Sequence, residues 1–129
     1  MSDEADILAS ADASEPTSRV VSRLVDILGS RLSAVIGDVR QTSAVGEWVD
    51  GVEPTFGRTR ILRFAFDVAK IIERRFGSLT AQSWFQGANH ALGDESPALV
   101  LSRACSARDV EALLAEHCVL QALREFLDT

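Results

Sequence analysis

Between Arg58 and Phe76 the chain repeats apolar residues at the helical interval. Ile61, Ala65, Val68, Ile72 and Phe76 form one stripe, and Leu62, Phe66 and Ala69 widen it. Gly77 follows, and a glycine there can take the left-handed conformation that ends a helix. At 1.5 Å per residue this helix is about 28 Å long, enough to cross a molecule of this size and support whatever packs on either side. Six bases, Arg58, Arg60, Arg63, Lys70, Arg74 and Arg75, cluster toward its ends.

The chain before this helix reads as three shorter ones. From Thr17 or Ser18 as N-cap, Val20, Val21, Leu24, Val25 and Leu28 recur at helical spacing as far as Gly29. Ser30 can cap a two-turn helix in which Leu32, Val35 and Ile36 face inward and Gly37 stops the run. Thr42 to Asp50 then places Val45, Trp48 and Val49 on one face before Gly51. Short helices joined by a glycine turn are the pattern of a helix-turn-helix, with Arg40, Gln41, Thr42 and Ser43 at the start of the recognition helix. Arg58 and Arg60, with Arg19 and Arg23, are candidates for phosphate contact. Gly51 to Phe56, with Pro54, reads as a connector.

After Gly77, Thr80 can cap a helix carrying Trp84 and Phe85, with Leu79 and Trp84 spaced as a hydrophobic staple. Neighbouring aromatics on a helix point about 100° apart, which assigns Trp84 to the core and Phe85 to a surface that a partner can reach. The stretch SWFQGANHALGDESP then turns a corner: Gly87 can supply a left-handed residue, Asn89 can cap the next turn, and Ser96 with Pro97 opens a helix running to Leu101. Ser106, three residues before Asp109, starts the last helix, whose broad apolar face is Val110, Leu113, Leu114, Leu120, Leu123 and Leu127, with a break near His117. No stretch alternates with period two, so the fold class is all-α.

Composition narrows the function. No run of 18 apolar residues and no basic-then-apolar amino terminus occurs, so the expectation is a cytoplasmic protein without a membrane span or secretory signal. Cys105 and Cys118, with His117 and distant His90, lack the close pairing of a structural zinc site, so both cysteines read as reduced thiols and no metal or cofactor is expected. A glycine-rich phosphate loop and a nucleophile–base set are both missing from the pattern, so no enzyme is expected. The net charge of −6 is unevenly spread. Residues 1 to 16 form an acidic segment expected to be a disordered tail, residues 18 to 75 hold ten bases against seven acids, and residues 76 to 129 hold three against seven. The middle can approach phosphates and the last third suits a basic partner.

Trp84, Phe85, Gly87, Asn89, Leu92, Pro97, Leu99 and Leu101 together make a helix ending in Trp-Phe, a glycine, an Asn-x-x-Leu turn and a proline-started helix, followed by a leucine-rich terminal helix. Over residues 18 to 129 the chain resembles the antitoxins of the Xre/MbcA/ParS family. The resemblance implies an Xre-like helix-turn-helix domain over 17 to 57, joined by the long helix to a helical toxin-binding domain over 58 to 129. It implies a RES-domain toxin acting on NAD as partner, operator DNA as a second ligand, and a homodimer within the toxin-antitoxin complex. Phe85 and Asn89 of the corner, with Arg124, Phe126 and Leu127 at the carboxyl end, are the expected toxin-binding residues. Gly37 stands farther before Trp48 than in a standard Xre domain, and Glu47 and Asp50 bring negative charge to the recognition helix. The alternative is a stand-alone helix-turn-helix regulator without a toxin partner.

Overall fold

The computed structural model describes residues 15 to 128, so most of the acidic segment expected at 1 to 16 lies outside the described residues. Seven α-helices follow one another there: α1 (Thr17–Leu28), α2 (Ser30–Ile36), α3 (Thr42–Val49), α4 (Phe56–Phe76), α5 (Ser78–Gln86), α6 (Pro97–Ala104) and α7 (Asp109–Leu127), with a 3₁₀ turn at His90–Leu92. None is long and apolar enough to cross a membrane.

The 58–76 stripe folds as the central helix α4, which starts two residues earlier than its pattern and runs for 21 residues, about 31 Å. Thr55 caps it, its hydroxyl accepting the Arg58 amide at 3.3 Å. Ile61, Leu62, Ala65, Val68, Ala69 and Ile72 are fully buried along it. The central helix α4 contacts α1, α5, α6, α2 and α7, and α2 also packs on α6. The first half of the chain is therefore in direct contact with the second, through α1 on α4 and α5 and α2 on α4 and α6.

Three polar ties reinforce that packing. Arg63 donates to the Glu15 carbonyl at 2.6 Å and to the Thr17 hydroxyl at 3.0 Å, fastening the start of α1 to the middle of α4. Gln82 of α5 donates to the Ile27 carbonyl at 3.0 Å, near the other end of α1. The Cys105 thiol, just past α6, donates to the Ile36 carbonyl at 3.2 Å at the end of α2. Gly29 and Gly77 end α1 and α4 with φ of 88° and 91°, a region other residues enter at a cost.

Several local readings change. α5 begins at Ser78 with Gly77 as its N-cap, so Leu79 lies inside the first turn and is 79% exposed, and no staple to Trp84 forms. Gly87 is extended at φ −81°, and the left-handed glycine of the corner is Gly93 at φ 65°. α7 starts at Asp109 after Arg108 rather than at Ser106, and it runs through His117 unbroken. Its buried face is Ala112, Val119, Ala122 and Leu123, whereas Val110, Leu113 and Leu114 face outward. Two apolar stripes compete on this helix, and the one containing alanines wins because small side chains let α7 approach its neighbours closely.

Candidate functional site

The residues expected to meet DNA fall into two groups. α2 stops at Gly37, whose Cα faces the Trp48 ring so closely that a methyl group there would stand 2.8 Å from it. The stretch from Asp38 to Gln41 then leads to α3, with Gln41 extended at its N-cap position and no side chain capping the first-turn amides. This leaves an open groove of about 520 Å³ lined by Arg31, Ala34, Val35, Val39, Arg40, Gln41, Thr42 and Ser43. Arg40, Gln41, Thr42 and Ser43 are exposed and share its wall, and Ser43 bonds to the Gln41 amide oxygen at 3.3 Å. Two guanidinium groups beside an uncapped helix start can hold an anion such as a phosphate, because both the side chains and the backbone amides are donors. Arg31 was missed in the sequence because it reads as an isolated base in a short apolar helix. Glu47 and Asp50 are exposed on the same side of α3 as Thr42 and Ser43, so the anion-attracting surface is confined to the first turn.

Arg58 and Arg60 do not join Arg40. Arg58 turns back along the fold, its Nε donating to the Gly37 carbonyl at 2.8 Å and Nη2 to the Asp38 carbonyl at 3.1 Å. It thus caps the carbonyl end of α2. Arg60 forms a two-pronged pair with Glu116 of α7 at 3.1 and 2.8 Å. The hydrogen bond to Glu116 holds the Arg60 guanidinium above its ordinary pKa, against the opposing effect of burial. These two arginines bind the protein to itself.

At the corner, the division of labour expected between the aromatics is not found. Phe85 is 0% exposed and Trp84 9%, so both are interior and Phe85 is withdrawn from any partner. A helix packed on more than one side can bury both members of an adjacent aromatic pair, and α5 contacts α4, α1 and α6. The rings of Trp84 and Phe85 meet edge to face at 5.1 Å, and Phe126 closes the cluster, 6.2 Å from Trp84 and 5.3 Å from Phe76. The Trp84 indole N–H is buried there without an acceptor among the described residues.

Asn89 caps the 3₁₀ turn, its side-chain oxygen accepting the Ala91 amide at 3.0 Å, while its backbone amide donates to Glu95 at 3.1 Å across the loop. Ser96 accepts the Leu99 amide at 3.2 Å and Pro97 opens α6. Arg103 is paired with Glu95, which holds that carboxyl below its usual range. Of the carboxyl-terminal set, Phe126 and Leu127 are half-buried against the core and Arg124 lies on the exposed side of α7. Cys118 is exposed, whereas burial pushes the Cys105 thiol up to about 12. The described residues hold no group of three His, Cys, Asp or Glu side chains placed to hold a metal ion.

No protein-family model matches this chain, and neither a curated protein nor a solved structure matches it.

Proposed function

We propose that this protein is the antitoxin of a type II toxin-antitoxin pair. In this reading its C-terminal half binds and neutralises a RES-domain toxin acting on NAD. Its α2–α3 pair serves as a helix-turn-helix that brings a homodimer to operator DNA upstream of its own gene. The observation that supports the first part is the corner. Trp84 is buried, Asn89 caps a turn, Ser96 and Pro97 open α6, and Leu101 is fully buried, so the residues carrying the resemblance build a rigid platform. The chain beyond it is acidic, which suits a basic protein partner. The reading assigns neither catalysis nor a cofactor to this chain.

What supports the second part is the groove, where Arg31 and Arg40 flank the open start of α3. Phosphate contact at that end, with Gln41, Thr42 and Ser43 nearest the bases, is the mode the charges allow. Glu47 and Asp50 weaken anything that lies further along the helix.

Co-expression with the product of the neighbouring reading frame tests the inhibitor function. The expected result is a stable complex and restored growth in cells arrested by that product alone. Separate elution with growth still arrested refutes it. For DNA, the promoter fragment upstream of the gene should shift with a steep salt dependence, and Arg40→Ala should weaken that shift. No shift, with or without the toxin, removes the repressor function.

A further inference from the structure

The outer side of α7 carries an apolar strip that the fold does not use. Val110, Leu113 and Leu114 are 69%, 59% and 58% exposed, and their i, i+3, i+4 spacing puts them side by side on the first two turns. At 100° per residue, Asp109 falls on one flank of the strip and Glu111 on the other, and both are exposed. Carboxylates also suit the positive end of a helix, which accounts for their place in the first turn but not for the leucines between them. Isolated exposed leucines need no explanation, whereas a contiguous strip bordered by charge marks a contact surface.

We propose that this strip docks on a partner protein, entering as one helix face into an apolar groove whose rim carries Arg or Lys. The proposal deepens the inhibitor reading and rests on it. Charge decides the occupant. A second copy would bring Asp109 and Glu111 against their own kind, in a segment after residue 75 that holds seven acids to three bases. An anionic membrane surface is disfavoured for the same reason. A basic groove accepts the flanking carboxylates as a rim and the three apolar side chains as anchors. The contact lies at the amino-terminal end of α7, away from Arg124, Phe126 and Leu127.

Cys118 supplies a built-in reporter. It is exposed one turn beyond Leu114, while Cys105 is buried with its thiol bonded to the Ile36 carbonyl at 3.2 Å, so a maleimide reads Cys118 alone. The full-length protein is labelled by itself and in complex with the product of the neighbouring reading frame. Binding is then measured for Leu114→Asp and, as a matched change of an exposed leucine elsewhere, Leu79→Asp, with thermal melts confirming that both fold. The expected result is Cys118 labelling slowed about tenfold or more in the complex. Affinity should fall about thirtyfold or more in Leu114→Asp and stay unchanged in Leu79→Asp. If the wild type forms no complex, the inhibitor reading falls and the docking face with it. If a complex forms while Cys118 stays fully reactive and Leu114→Asp binds like wild type, the strip alone is refuted.

Discussion

Replacing Gly57 with alanine tests the tightest approach in the fold. Gly57 is the second residue of α4, and a methyl group on its Cα would lie 2.0 Å from the Cys105 carbonyl oxygen just past α6. The neighbour is backbone, so no rotamer change relieves the overlap. A carbon–oxygen contact needs about 3.3 Å, so the end of α6 must retreat by about 1.3 Å. That retreat strains the Cys105–Ile36 hydrogen bond and the Arg58 contacts, which meet at the same point. Alanine's better helix propensity returns at most about 1 kcal/mol. Against it stand about 1 to 3 kcal/mol of overpacking and about 1 kcal/mol for each weakened hydrogen bond. The expected net loss is about 2 kcal/mol, or about 8 °C in Tm for a domain of this size. The same substitution at Gly46, in the middle of α3 with nothing within 4 Å of the added methyl, should raise stability by about 0.5 to 1 kcal/mol. Thermal and urea unfolding followed by far-ultraviolet circular dichroism measures both. If Gly57→Ala is as stable as wild type, or if the two variants move in the same direction, the close approach is refuted.

Trp84→Phe gives up ring volume but also an indole N–H buried without an acceptor, so urea midpoints should place it within about 1 kcal/mol of wild type, while Trp84→Ala loses about 3 to 5 kcal/mol. Arg58→Ala, which leaves the Gly37 and Asp38 carbonyls without their donor, should cost about 2 kcal/mol by the same assay. Arg58→Lys should recover only part of it, because one ammonium cannot reproduce the forked contact. Burial pushes the Cys105 thiol up to about 12, so the folded protein keeps its proton while the unfolded chain ionises near pH 9. Stability from this group is therefore complete below pH 9 and falls by about 1.4 kcal/mol per pH unit between there and about 12. The difference in unfolding free energy between wild type and Cys105→Ala, measured across that range, should show the slope.

What could be read from the sequence is what local chemistry decides. Gly29 and Gly77 end their helices because only a glycine enters that region cheaply, and Asn89 and Ser96 cap because their oxygens reach amides two or three residues on. The α4 stripe was legible because one apolar face recurs over five turns. The errors came where the answer depends on what sits opposite. Phe85 looked accessible from its angle to Trp84, yet α5 is packed from more than one direction. Val110, Leu113 and Leu114 are more apolar than the alanine-containing stripe buried in their place, and the choice between the two depends on the neighbours α7 packs against. Arg58 looked like a phosphate contact because its acceptors lie 21 and 20 residues away in the chain, beyond the reach of any local pattern. In the candidate groove, Arg40, Gln41, Thr42 and Ser43 were foreseen as neighbours in sequence, and Arg31 required the packing of α2 on α3.

The segment from Ile36 to Asp38 ties the groove to the rest of the molecule, and this bears on whether residues 17 to 57 can stand alone. Asp38 is left-handed at φ 59°, a conformation that costs a non-glycine residue about 1 kcal/mol and persists only when its surroundings impose it. Two backbone bonds close the turn locally, the Asp38 and Val39 amides donating to the Val35 and Ala34 carbonyls at 3.0 Å each. The side chains that hold it come from beyond residue 57: Arg58 on the Gly37 and Asp38 carbonyls, Ser102 on the Asp38 carboxylate at 3.3 Å, and Cys105 on the Ile36 carbonyl. Val39 and Arg40, which follow directly, line the groove. α1 is in the same position, since Val21 and Leu24 are fully buried in a core that includes Ile61, Leu62 and Ala65 of α4. A fragment of residues 17 to 57 would expose that apolar face and leave the turn with its local backbone bonds alone. It should therefore show little helix by circular dichroism and no cooperative melt, whereas adding residues 58 to 129 in trans should restore part of both. A fragment that melts cooperatively on its own would mean that α1 to α3 hold the groove without help from α4 and α6.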